Sequence, residues 1–233
     1  MLKYPDKQLP AITLKPKDWN KRIVIWVDPQ GKQSLFAEDG KLHPSVQKIL
    51  DAGTLVLSAD LFGQGEFTKD GKPIAKAPLV DGHIEFTFGY NPPLFSERVR
   101  DLLTLVAIAH CKAFGTQRVD MIGLNGAGHW VAAARAIAGD KIDRAAIDTG
   151  GFRFANIATF DNPDFLPGGA KYNDLPGMIA LSAPNPLWIA GEGDALPPIV
   201  AAAYKAAGQP EKVTVFPGEA AERENAAVEW LLK

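Results

Sequence analysis

The chain carries one cysteine, Cys111, in 233 residues, so it can form neither an internal disulfide nor a cysteine-based metal site. Long apolar runs are missing as well; none approaches the ~20 residues that a membrane-crossing helix needs. The opening stretch, Met1 to Asn20, is mixed and punctuated by proline, unlike a secretory signal peptide. Charge of one sign is absent: 25 Lys and Arg face 27 Asp and Glu, a net −2. That balance gives no electrostatic footprint for nucleic acid or an anionic membrane. The densest basic group, Lys15, Lys17, Lys21 and Arg22, is expected to solvate the entrance to a strand. Histidine is scarce, with His43, His83, His110 and His129 the full set. No tight spacing of ligating residues points to a metal, and nothing calls for a cofactor.

What remains is ordinary globular composition, 46% hydrophobic and 22% charged, enough for one well-buried core in a soluble protein. Apolar runs at Arg22–Val27, Thr54–Ser58, Arg118–Ile122, Arg144–Ile147, Pro186–Ala190 and Lys212–Phe216 read as strands. Between them, helical spacing covers His43–Ala52, Leu94–Phe114, Gly128–Ala138, Pro197–Ala207 and Ala220–Leu232. A Gly/Pro/Lys-rich excursion runs to about Tyr90, and Phe152 to Pro176 reads as loop and short helix. Cys111 falls in a helical pattern and is expected in the core. Strands without polar alternation, each followed by a helix, imply a mostly parallel sheet with helices on both faces: a three-layer α/β domain. Neither a repeat nor a linker divides residues 21–233, while residues 1–20 read as an extension or connecting segment, like the interior of a longer protein.

Ligands of such sheets bind beyond the carboxyl ends of the strands. The most informative strand end is Ile122-Gly-Leu-Asn-Gly-Ala-Gly128, a strand passing through glycines into a helix. It matches a nucleophile elbow, Gly-x-Ser-x-Gly, with Asn125 in the serine position. Asparagine tolerates positive φ, so it can keep the turn, but an amide is not a nucleophile. Gly123, Gly126 and Gly128 followed by Asp148 also hint at a dinucleotide site, yet G-x-x-G-x-G is the wrong order and lies mid-chain.

The order of elements resembles the α/β-hydrolase superfamily, and more narrowly its acetyl xylan esterase and dienelactone hydrolase branch. Asp60-Leu-Phe-Gly-Gln-Gly65 is similar to that branch's Asp-x-Arg-Gly-x-Gly turn, with Phe62 in place of arginine. Gly191-Glu-Gly-Asp194-Ala-Leu-Pro197 is similar to the loop carrying the triad acid, and the resemblance puts Asp194 in that role. The family's partners run in the order Ser, acid, His, but the last histidine, His129, precedes Asp194. The turn where the resemblance places the histidine, Phe216-Pro-Gly-Glu-Ala-Ala221, has none. A serine attacks an ester only when a base takes its proton; here both are missing from their places.

The expectation is therefore a hydrolase-fold domain with a degenerate triad: a noncatalytic ligand-binding or accessory domain. Its expected partners are a carbohydrate or ester ligand, or a catalytic domain in a longer parent chain. Gln30, Asp60, Asn125, Gly126 and Asp148 are the expected ligand-site residues, with Asp60 bracing its own glycine turn. The backbone amides after Val27 and Asn125 are placed to bind an oxyanion. The competing expectation is a carboxylic-ester hydrolase with an unusual site around His129, Asp194 and Glu219. His129 and Trp130 are otherwise expected to fill space between helix and sheet, and Asp148, Glu192, Asp194 and Glu219 to form a solvated acidic rim.

Overall fold

The computed structural model describes residues 8–233. Seven strands form one sheet: β1 (Ala11–Leu14), β2 (Arg22–Val27), β3 (Leu55–Ala59), β4 (Arg118–Gly123), β5 (Arg144–Asp148), β6 (Leu187–Ala190) and β7 (Val213–Phe216). Their spatial order is β1-β3-β2-β4-β5-β6-β7, with β1 antiparallel to β3 and every other pair parallel. The helices are α1 (Pro44–Asp51), α2 (Ile84–Tyr90), α3 (Leu94–Ala109), α4 (Gly128–Ala138), α5 (Asp174–Ala180), α6 (Pro198–Ala206) and α7 (Ala220–Leu232). Helices α3, α4, α5 and α6 pack in succession on one face, and α1 packs with α7 on the other. The three-layer α/β architecture read from the sequence is the one observed.

The strands explain this arrangement. In β2 the run Ile23-Val-Ile-Trp-Val27 is buried throughout, and β3 is buried at all its positions. A strand apolar on both sides needs cover on both, which parallel crossovers through helices supply. The two resulting cores are distinct. Ile23, Ile25, Met121 and Ile147 face α3 and α4, while Val24, Trp26, Ile122 and Trp188 face α1 and α7.

Three sequence expectations need correction. Ala11–Leu14 lies within the segment read as an extension, yet it is an edge strand of the sheet; its half-buried alternation makes a weaker signal than the central strands. Residues 1–7 of that segment lie outside the described residues. Helix α3 stops at Ala109, which leaves Cys111 in an exposed turn rather than in the core. Finally, Ile84–Tyr90 is a helix inside the excursion, where glycine and aromatic residues mask the period.

The end opposite the candidate site is held by an arginine clamp. Arg22 and Arg118, paired across β2 and β4, donate Nη2 to the Leu231 carbonyl at 2.8 and 3.0 Å. Arg144 donates Nη1 to the Trp230 carbonyl at 3.1 Å. The last carbonyls of a helix lack partners within it and carry partial negative charge, so the three cations cap α7. Fully buried Asp120 balances them, 2.8 Å from Arg118 Nε and 3.6 Å from Arg22 Nη2. Arg22 thus turns inward instead of solvating the strand entrance. Lys15 and Lys21 lie over the Trp19 ring.

Candidate functional site

The carboxyl ends of β2, β4 and β5 sit side by side, and the turn after β4 is tight. Asn125 has φ 54° and Gly126 φ 101°, the left-handed region that asparagine and glycine enter at low cost. Small residues frame the turn because strand and helix nearly touch. A side chain at Gly123 would meet Val131 Cγ2 at 2.5 Å, and one at Gly128 would overlap the Asp148 carbonyl. This is the geometry of a nucleophile elbow, presenting an exposed Asn125.

The Asn125 amide is already engaged. Its Nδ2 donates to Asp28 Oδ2 at 2.9 Å, and Asp28 Oδ1 accepts the Gln30 N–H at 2.8 Å. Burial pushes the Asp28 carboxyl up, against the hydrogen bonds from Asn125 and Gln30; Glu224 adds to the rise and His43 opposes it. His43, at the start of α1, lies 3.0 Å from Glu224 of α7, although Nδ1 is off the line of a good hydrogen bond. Its neighbour Arg223 donates to Asp148 at 3.1 Å. Thus a polar network of the protein's own side chains, Asn125–Asp28, His43–Glu224 and Arg223–Asp148, lies across the strand ends. Sequence reading passed over His43 and Glu224, since a pair so distant in the chain leaves no local signal.

Of the other expected ligand-site residues, Gln30 and Gly126 are exposed. Asp60 is buried and braces its turn, accepting the Lys32 and Glu66 amides at 3.1 and 3.0 Å and the Lys32 ammonium.

His129, Asp194 and Glu219 are not joined by any hydrogen bond or ion pair among the described residues. His129 is 3% exposed, its ring stacked on Phe152 at 4.0 Å and on Phe95 at 5.9 Å. Its Nε2 lies 3.1 Å from Asp164 Oδ1 at a poor hydrogen-bond angle. Asp164 also accepts Trp130 Nε1 at 2.7 Å and Arg98 Nη1 at 3.3 Å. Burial alone would raise the Asp164 carboxyl, but His129, Trp130 and Arg98 together hold it below the usual range. Apart from Trp130 on α4 itself, these partners lie on α3 and in the loop after β5, so His129 packs where α4 meets them. Asp194 and Glu219 are exposed, and Glu219 opens α7 without a side-chain cap bond. In the loop after β6 the buried carboxylate is instead Glu192, which takes the Thr149 hydroxyl at 2.6 Å and both Arg153 Nη atoms at 3.0 and 2.5 Å. Among the described residues no group of three or more His, Cys, Asp or Glu is arranged to hold a metal, and no helix is long and apolar enough to cross a membrane.

No family model matches the chain, and no curated protein matches it. Solved structures do. Est1E from Butyrivibrio proteoclasticus, bound to ferulic acid, is similar over 96% of this chain and 94% of its own, with 16% identity and a TM-score of 0.56. A promiscuous CE15 esterase from a marine bacterial metagenome is similar over 95% and 76%, with 13% identity and a TM-score of 0.62. The glucuronoyl esterase of Solibacter usitatus is similar over 97% and 77%, with 14% identity and a TM-score of 0.58. The chain has the α/β-hydrolase fold. At these identities the likeness speaks for the hydrolase fold alone, and Asn125 stands at its elbow.

Proposed function

We propose that this hydrolase-fold chain binds a carbohydrate or ester-like ligand without serine-triad hydrolysis, as a ligand-binding domain or as an accessory to a catalytic domain in a longer parent protein. The observation that carries the reading is Asn125: an amide, tied to Asp28 at 2.9 Å, occupies the elbow position. Nucleophilic catalysis needs a hydroxyl, thiol, carboxylate, amine or imidazole with an activating partner, and an amide is none of these; the segment Phe216–Ala221 offers no histidine to serve as the partner. The glucuronoyl esterase likeness supports a sugar-bearing ligand as the class to try first.

The test is hydrolysis of p-nitrophenyl acetate and an acetylated xylo-oligosaccharide by the wild type and by the His129→Ala and Asp194→Ala variants. Background rates, unchanged in both, are expected. Turnover above background that disappears in either variant would overturn the reading in favour of a carboxylic-ester hydrolase working around His129, Asp194 and Glu219.

A further inference from the structure

The loop after β6 faces the segment entering α5 across an open cleft of about 500 Å³, a size typical of small-molecule sites. One wall is apolar and rigid, made by Pro176, Leu196, Pro197 and Ile199. Arg153 and Asn173 line it from the polar side.

Arg153 is fixed in advance. Nη1 donates to the Phe152 carbonyl at 2.7 Å and to Glu192 Oε1 at 3.0 Å, and Nη2 to Glu192 Oε2 at 2.5 Å. Both oxygens of Glu192 are engaged by these bonds and the Thr149 hydroxyl, and its side chain is only 4% exposed. Arg153 is not spent. A guanidinium has five N–H donors, the bonds described use three, and the side chain is 30% exposed.

Asn173 supplies a second free donor for a definite reason. It stands at the N-terminal boundary of α5 yet makes no side-chain cap bond. The backbone is left-handed at Tyr172, Asn173 and Asp174 in succession, with φ of 56°, 70° and 55°. Such conformations persist where the surroundings enforce them. Here Asp174 does the tying, accepting the Phe154, Ala155 and Leu175 amides at 2.8, 3.0 and 2.6 Å. The Asn173 amide is left exposed. The first residues of α6 also border the cleft and add the partial positive charge of a helix start.

Arg153 thus offers only donors, Asn173 offers an amide N–H2 beside its carbonyl oxygen, and the one carboxylate lining the cleft is paired. We propose that this cleft binds a small organic carboxylate, its anion on Arg153 and Asn173 and its apolar body on the proline-rich wall. The inference deepens the ligand-binding reading and rests on it. It also moves the ligand from the elbow, where Asn125 and Asp28 satisfy each other, to the loop after β6.

The test is an NMR titration of the full isotopically labelled chain with benzoate and hexanoate, using benzamide as the uncharged isostere. Saturable shifts at Arg153, Asn173 and residues 191–199 are expected, with benzoate bound about tenfold more tightly than benzamide, the value of one charge-assisted hydrogen bond. Arg153→Gln is expected to weaken benzoate by a similar factor. Because that change leaves Glu192 short of a cation, Asn173→Gly serves as a second variant: it keeps the left-handed backbone, removes the amide, and is expected to weaken benzoate while sparing the fold. No saturation, equal affinity for acid and amide, or shifts centred on Asp28 and Asn125 would each overturn the proposal. Ester hydrolysis that disappears in His129→Ala or Asp194→Ala would instead sink the ligand-binding reading, whatever benzoate does.

Discussion

At Asn125 a left-handed backbone, φ 54°, is combined with a side chain that cannot attack a carbonyl. Restoring the hydroxyl alone is not expected to restore chemistry. Asn125→Ser should hydrolyse p-nitrophenyl acetate near the background rate, because general-base assistance contributes about 10²–10⁴-fold and no histidine base is bonded to this position, whose side-chain partner is the Asp28 carboxylate. A rise of about a hundredfold or more in a stopped assay would show that one is in reach. The scaffold of the turn is less forgiving than its tip. Gly128→Ala drives a methyl into the Asp148 carbonyl and should lower the free energy of urea unfolding by about 3 kcal/mol, the upper range for overpacking. Asp164 makes a different kind of residue-scale statement. Its carboxyl is held below the ordinary value of 3.8, so it adds stability above that pH and loses it as the pH falls through its lowered value. Asp164→Asn should therefore cost about 2 kcal/mol at pH 7, the worth of hydrogen bonds to a charged group, and the gap from wild type should shrink on acidification in thermal melts. Asp28, raised by burial, has the opposite sign: its contribution is present below 3.8 and is lost as pH rises through its raised value.

Among the elements, α7 depends most visibly on others. Arg22 and Arg118 share both the Leu231 carbonyl and buried Asp120, so their losses should not add. Each alanine variant should lower stability by about 1–2 kcal/mol, and the double variant should depart from the sum by at least about 0.5 kcal/mol, read from urea unfolding of all four proteins. The elements themselves were largely legible in the sequence. Gly128–Ala138 and Ala220–Leu232 emerge with the ends that their periodicity and flanking turns give, because a helix carries its signal within itself. Ile84–Tyr90 did not, since Ile-Glu-Phe-Thr-Phe-Gly-Tyr is rich in residues that favour strands. The polar network was the least legible part. Arg223 to Asp148 and His43 to Glu224 are pairings made only once α7 docks on the assembled sheet. In the loop after β6, similarity pointed to Asp194, which is exposed, and gave no sign of the buried Glu192–Arg153 pair two positions earlier.

Over the whole molecule, the sheet has one edge made by a short antiparallel strand. Ala11–Leu14 pairs with β3 through four residues, and the Asp60 amide bonds the Pro10 carbonyl at 2.9 Å. A chain begun at Lys21 would leave β3, buried at every position, as an open edge of unpaired amides, a template for self-association. That truncation should lower the melting temperature and produce concentration-dependent light scattering that the full chain does not show.

The arginine clamp also has a temporal meaning. Arg22 belongs to the second strand to be synthesised, while its carbonyl partner Leu231 belongs to the last helix. Ala227, Val228 and Leu231 of that helix cover the face that includes Val24, Trp26 and Ile122. During translation α1 can cover its share of that face early, but the share under α7 stays wet, and Arg22 and Arg118 lack the Leu231 carbonyl, until α7 has left the ribosomal tunnel. Folding intermediates of this domain that lack α7 therefore expose part of one half-core, the kind of surface on which partly folded chains associate.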